Sequence, residues 1–165
     1  MLAVESAPNP IGLIHAIKPV AERIAVTKTR DADLLSRWML RPSILVALVG
    51  RDFGRDKAEA HFRDIMESDA AFFSVHVDGK ERGCVIFKRD GECWDMHLCL
   101  ATFFTHTRTA VAKAIEQLAC DGPVQVTARY SSVHRAVERL LNDLGFDSGN
   151  IDGAWRNRSL TLTHA

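Results

Sequence analysis

Several features are missing from this chain, and each absence closes a class of function. There is no surplus of positive charge, since Lys+Arg and Asp+Glu number 21 each. Sequence-independent nucleic-acid binding draws on a basic excess, so that role is disfavoured. No apolar run approaches the roughly 20 residues that a membrane span needs. The opening MLAVESAPNP lacks a basic stretch followed by an apolar one, so no secretory signal is read and a cytoplasmic location is expected. The four cysteines, Cys84, Cys93, Cys99 and Cys120, form no C-x-x-C pair. They read as reduced structural thiols, and no metal site is expected from them together with His76, His97 and His106. Repeats and low-complexity segments are absent too.

What is there is ordinary globular composition. Apolar residues make up 47% and charged residues 25% of 165, enough for one domain with a sizeable core. Residues 1–22, with Pro8, Pro10 and Pro19 around a short apolar patch, read as an arm; residues 23–165 read as the domain. Ile24 to Thr29 alternates like an edge strand. Asp31 stands where an N-cap would, before Leu34, Leu35, Trp38 and Met39 at helical spacing. Pro42 opens an apolar run expected to be buried. Arg55 to Glu67 places Ala58, Phe62, Ile65 and Met66 on one helical face.

Three strand-like segments follow, AFFSVHV, RGCVIFK and ECWDMHLCL, separated by Asp78-Gly79 and Asp90-Gly91. Asp-Gly between alternating segments is a strong hairpin signal, so an antiparallel meander is expected. Thr107 to Ala119 returns to helical spacing and stops at Asp121-Gly122-Pro123. The strand Val124 to Tyr130, a helix from Ser132 to Leu144 and a closing strand within Ala154 to Thr163 complete the order. A meander followed by β-α-β with intervening helices predicts an α+β domain: a mixed, mostly antiparallel central sheet with helices on both faces.

The stretch VQVTARYSSVHRAVERLLNDLGF, Val124 to Phe146, resembles the last strand–helix unit of the GCN5-related N-acetyltransferase (GNAT) superfamily. The element order over residues 23–163 is similar as well. Aligned on Gly145-Phe146, the family's helix-start Asn falls on His134, and its buried positions fall on Val137, Leu140, Leu141 and Leu144. The resemblance implies acetyl-CoA, or another acyl-CoA, as cofactor and transfer of the acyl group to an amine. It also implies that the strand backbone near His97, Leu98, Cys99 and Leu100 orients the pantetheine. The pyrophosphate would sit at the start of the following helix, on Thr105, His106, Thr107 and Arg108.

Two departures from the family pattern are visible. The family holds pyrophosphate in a glycine-rich turn, where bare backbone amides at a helix N-terminus approach the anion closely. The corresponding stretch here, ATFFTHTRTAVA from Ala101, contains no glycine. Many family members carry a tyrosine acid on the last helix; that position is Leu141, and the single tyrosine, Tyr130, lies at the preceding strand end. Asp95 and His97 share one face of their strand, close enough for the carboxylate to fix the imidazole tautomer, and they are the candidate base. Two readings stay open at this point. One is an acyltransferase using Asp95, His97 and Tyr130; the other is a non-catalytic bacteriophage assembly protein of GNAT-like fold, whose arm and groove bind a protein partner or a second copy.

Overall fold

The computed structural model describes residues 23–41, 54–101 and 106–163. The expected arm, the Pro42 segment and Thr105 lie outside the described residues. Strand β1 (Ile24–Lys28) leads to helix α1 (Ala32–Met39), and helix α2 (Arg55–Glu67) precedes strands β2 (Ala70–Val77), β3 (Lys80–Asp90) and β4 (Cys93–Leu100). Helix α3 (Thr107–Leu118), strand β5 (Val124–Ser131), helix α4 (Arg135–Leu144) and strands β6 (Asn150–Asp152) and β7 (Trp155–Leu162) follow. The short β6 has no counterpart in the sequence reading.

Local chemistry accounts for most boundaries. The Asp31 carboxylate accepts from the amides of Asp33 and Leu34 and so caps α1, satisfying donors that the first helical turn leaves unpaired. Asp78 and Gly79 both take positive φ between paired Val77 and Lys80, the two-residue turn that matches strand twist. The next turn sits one residue later than expected. Asp90 pairs with Cys93 and leaves Gly91-Glu92 to turn the chain. Helix α4 likewise starts later, at Arg135; His134 takes the N-cap position without a side-chain capping bond. Its end follows the Leu-Gly-Phe pattern. Gly145 is left-handed (φ 86°) and the Phe146 amide donates to the Leu141 carbonyl at 3.0 Å, a conformation that favours glycine.

The seven strands form one sheet in the order β1-β2-β3-β4-β5-β7-β6. All neighbours are antiparallel except β4 and β5, which are parallel and joined through α3. Alternation of the strands divides the core in two. Phe73, Val85, Phe87, Met96, Val126 and Tyr130 pack with Val111 of α3 and Leu141 of α4. On the other face Phe72, Ile86 and Cys99 pack with Leu35 and Trp38 of α1 and Ile65 of α2. Helices therefore cover both faces, as the sequence reading expects. No helix among the described residues is long and apolar enough to cross a membrane.

A candidate active site between two diverging strands

The parallel junction is where the sheet opens. Strands β4 and β5 pair over Cys93–Gln125, Trp94–Val126 and Asp95–Thr127. Past that point β4 keeps its partner β3 as far as Leu100, while β5 follows β7. The facing edges of Met96–Leu100 and Ala128–Ser131 thus lack each other as ladder partners, and backbone polar groups there need another source of hydrogen bonds. A cavity of about 360 Å³ occupies this wedge. Met96, Leu98, Ala128, Val137, Leu141 and Trp155 give it an apolar lining; Asp95, His97, Arg129, Tyr130 and His134 supply the polar groups.

Parity along the strands sets the chemistry. Trp94, Met96 and Leu98 point toward α3 and α4, whereas Asp95 and His97 point to the other face. His97 Nε2 lies 3.3 Å from Asp95 Oδ2, and Thr127 Oγ1 donates to Asp95 Oδ1 at 3.3 Å. Both oxygens of the carboxylate are thereby oriented, and both side chains of the pair stay partly exposed. A carboxylate hydrogen-bonded to an imidazole fixes the tautomer and orientation of the ring. From α2, His61 faces the same surface, and its pKa is lowered by burial first and then by the charges of His97 and Lys88.

Tyr130 enters the wedge from β5. The residue is 95% buried by its 5% exposure, and its hydroxyl has no hydrogen-bond partner. A buried hydroxyl left unpaired costs about 1–3 kcal/mol, so it needs an explanation, and the residue that carries it lines the cavity. Leu141, by contrast, is fully buried and packs in the core, so the family's tyrosine position here serves packing.

The wedge brings together Asp95, His97, Leu98, Tyr130 and His134. It does not bring in Cys99 or Leu100, whose side chains are buried outside its lining. Cys99 meets Cys84 across the β3–β4 ladder, and that hydrogen bond together with burial holds the Cys84 thiol well above its ordinary range. His106 occupies the N-cap position of α3 with no side-chain capping bond, Thr107 is buried and Arg108 is exposed. No acidic residue stands in the first turn of α3, where a carboxylate would offset the positive end of the helix. Among the described residues no three of His, Cys, Asp and Glu converge as metal ligands would.

Sequence reasoning passed over Thr127, Arg129 and Trp155. Thr127 carried a faint signal, because it has the parity of the polar face of its strand. Arg129 shares that parity, whereas Trp155 carried none: it reaches the wedge only because β7 returns beside β5, with Ser131 against Trp155.

Solved structures give the comparison. PaiA N-acetyltransferase from Thermoplasma acidophilum, solved in complex with coenzyme A, superposes with a TM-score of 0.61 at 14% identity, covering 84% of this chain and 99% of that one. The GNAT domain of S. lividans PAT gives 0.64 at 11% identity, over 84% and 89%. This chain has the GNAT fold. Spermidine N-acetyltransferase from Vibrio cholerae, in complex with CoA and spermine, gives 0.63 at 11% identity, over 86% and 96%. No protein-family model and no curated protein sequence matches the chain. The GNAT likeness therefore rests on backbone architecture, and the reading of chemistry rests on the wedge itself.

Proposed function

We propose that this protein binds an acyl-CoA in the β4–β5 wedge and transfers the acyl group to a primary amine. The observation that carries the reading is that Tyr130, whose buried hydroxyl is unpaired, lines one apolar cavity with the oriented Asp95–His97 pair. An acyl-pantetheine is thin and largely apolar, with amides that seek backbone partners. The wedge offers apolar walls and the facing edges of two separated strands. The two parts suit each other. His106, Thr107 and Arg108 at the start of α3, with the neighbouring Thr105, would hold the pyrophosphate through helix amides, hydroxyls and a guanidinium. Acyl-CoA supplies the activated thioester; the chain's own residues supply orientation and proton transfer.

Asp95, assisted by His97, takes a proton from the incoming ammonium, and the freed nitrogen lone pair attacks the thioester carbon. A C–N bond forms and the C–S bond breaks. Tyr130 gives its phenolic proton to the departing sulfur, and the second proton of the nitrogen replaces it on the phenolate. One proton is released per turnover, and the amide and free thiol leave. Each positioned acid or base contributes about 10²–10⁴-fold in such reactions. The assembly role expected as an alternative has no supporting observation in the fold or the site.

The test is the melting temperature with and without acetyl-CoA. At a hundredfold excess over Kd, linkage stabilises the bound state by about 2.7 kcal/mol, which is several degrees for a domain of this size. Arg108→Ala should reduce that shift. If millimolar acetyl-CoA leaves the midpoint unchanged, the reading fails while the fold stands.

A further inference from the structure

A second cavity of about 680 Å³ opens beside the wedge, and it is polar where the first is apolar. Asp95 lines both. The polar bay lies on the sheet face that carries Gln125 and Thr127, and β7 continues that face, since Thr127 pairs with Ser159 and Arg129 with Asn157. The core under α1 and α2 contains no residue of β5 or β7, so among the described residues this part of the sheet has no apolar cover.

The rim of the bay is rigidly built. The Asp147 carboxylate accepts from the Ser159 amide at 3.0 Å and from the Ser159 hydroxyl at 2.8 Å. Arg158 is buried, and its guanidinium donates to the carbonyls of Phe146 and Asp147. Gly149 packs so close to β7 that a Cβ there would lie 1.9 Å from the Asn157 carbonyl oxygen. Asp147 and Arg158 are thus occupied in holding the wall. Arg129 is drawn toward Asp152 at 3.8 Å and lies over the Trp155 ring.

What remains to meet a ligand is distinctive. Asp90 and Asp95 present carboxylates, and Gln125, Ser148, Asn150 and Asn157 present neutral amides and a hydroxyl. Resting on the acyl-transfer reading above, we infer that the bay is the acceptor subsite, and that it takes a small primary amine on a skeleton rich in hydroxyl or amide groups. Asp95 receives the ammonium at the point where bay and wedge meet, and the neutral groups receive the skeleton. An apolar amine would strip water from those amides without replacing their hydrogen bonds. A polyamine would find the Asp147 carboxylate already held by the Ser159 amide and hydroxyl.

The experiment is amide NMR on the full ¹⁵N-labelled chain, with D-glucosamine as the hydroxylated amine, and spermidine and cyclohexylamine as contrasts. Glucosamine should move the signals of Gln125, Asn150 and Asn157 saturably, and more strongly than either contrast. Gln125→Ala with Asn157→Ala should weaken its binding about tenfold, the equivalent of two ordinary hydrogen bonds. The melting response of that variant to acetyl-CoA should match the parent's. The assignment is overturned if acetyl-CoA moves Leu98 and Val137 but glucosamine leaves the bay unmoved, or if spermidine or cyclohexylamine moves it more. If glucosamine moves the bay while acetyl-CoA leaves Leu98 and Val137 unmoved, the polar-amine subsite stands and acyl transfer falls.

Discussion

His97 Nε2 lies 3.3 Å from Asp95 Oδ2, the two residues standing two apart on the same face of β4 at the last rung before the sheet divides. Because the imidazole lies past that rung and the carboxylate lies on it, the pair straddles the mouth of the wedge. Asp95→Asn keeps the shape and the Thr127 contact but removes the base. We expect a fall in kcat of about 10²-fold or more, with the acetyl-CoA melting shift retained. A steady-state assay beside a melting curve checks both halves, and loss of the shift would move Asp95 from chemistry to binding.

Tyr130→Phe separates catalysis from folding. The variant deletes a buried hydroxyl that has no partner in the free protein, so stability should hold or rise by about 1 kcal/mol. Turnover should drop by at least about tenfold, toward the 10²-fold that a positioned acid gives. A phenylalanine variant that is as active as the parent would leave the orphaned hydroxyl without the role assigned to it.

Arg158→Met tests the wall of the polar bay. The side chain is 7% exposed, and it donates to the Phe146 carbonyl at 2.9 Å and the Glu138 carbonyl at 3.4 Å, besides that of Asp147. Methionine fills much of the volume but strands those acceptors. The expected loss is about 3 kcal/mol, read as a lower urea midpoint with an unchanged slope.

The acid side of the stability profile should report His61. Its folded pKa is depressed, by burial before the neighbouring charges of His97 and Lys88, so the unfolded chain binds the proton more readily. Stability then falls as pH drops below the ordinary histidine value of about 6.5, and levels off once the folded form also protonates. His61→Gln should flatten that limb between pH 7 and pH 5. Parallel profiles for parent and variant, compared by urea unfolding, would contradict the assignment.

The sequence made some of this legible and hid the rest for physical reasons. Asp78-Gly79 and Leu144-Gly145-Phe146 declared a hairpin and a helix end because turn and cap chemistry acts over a few adjacent residues. Asp95, His97 and Tyr130 were readable as candidates from strand parity and from the solitary tyrosine. Their convergence was not, because it depends on where the ladder between β4 and β5 stops, a property of two segments some 30 residues apart. The polar bay was harder still. Gln125, Asn150 and Asn157 are each unremarked polar positions, and only the β5–β7 register sets them side by side. Ser132 looked like the start of the last helix since serine is a good cap, yet the chain pairs Ser131 with Trp155 and begins the helix after His134.

Among the described residues, the ladder between the two halves of the sheet has three rungs. The strands from Ile24 to Leu100 and those from Val124 to Leu162 each pair with their own nearest neighbours, and beyond that line the core beneath α3 and α4 joins them. A molecule lodged along that line would act as a dowel between two plates, and pulling the ends apart should require more force when the dowel is in place.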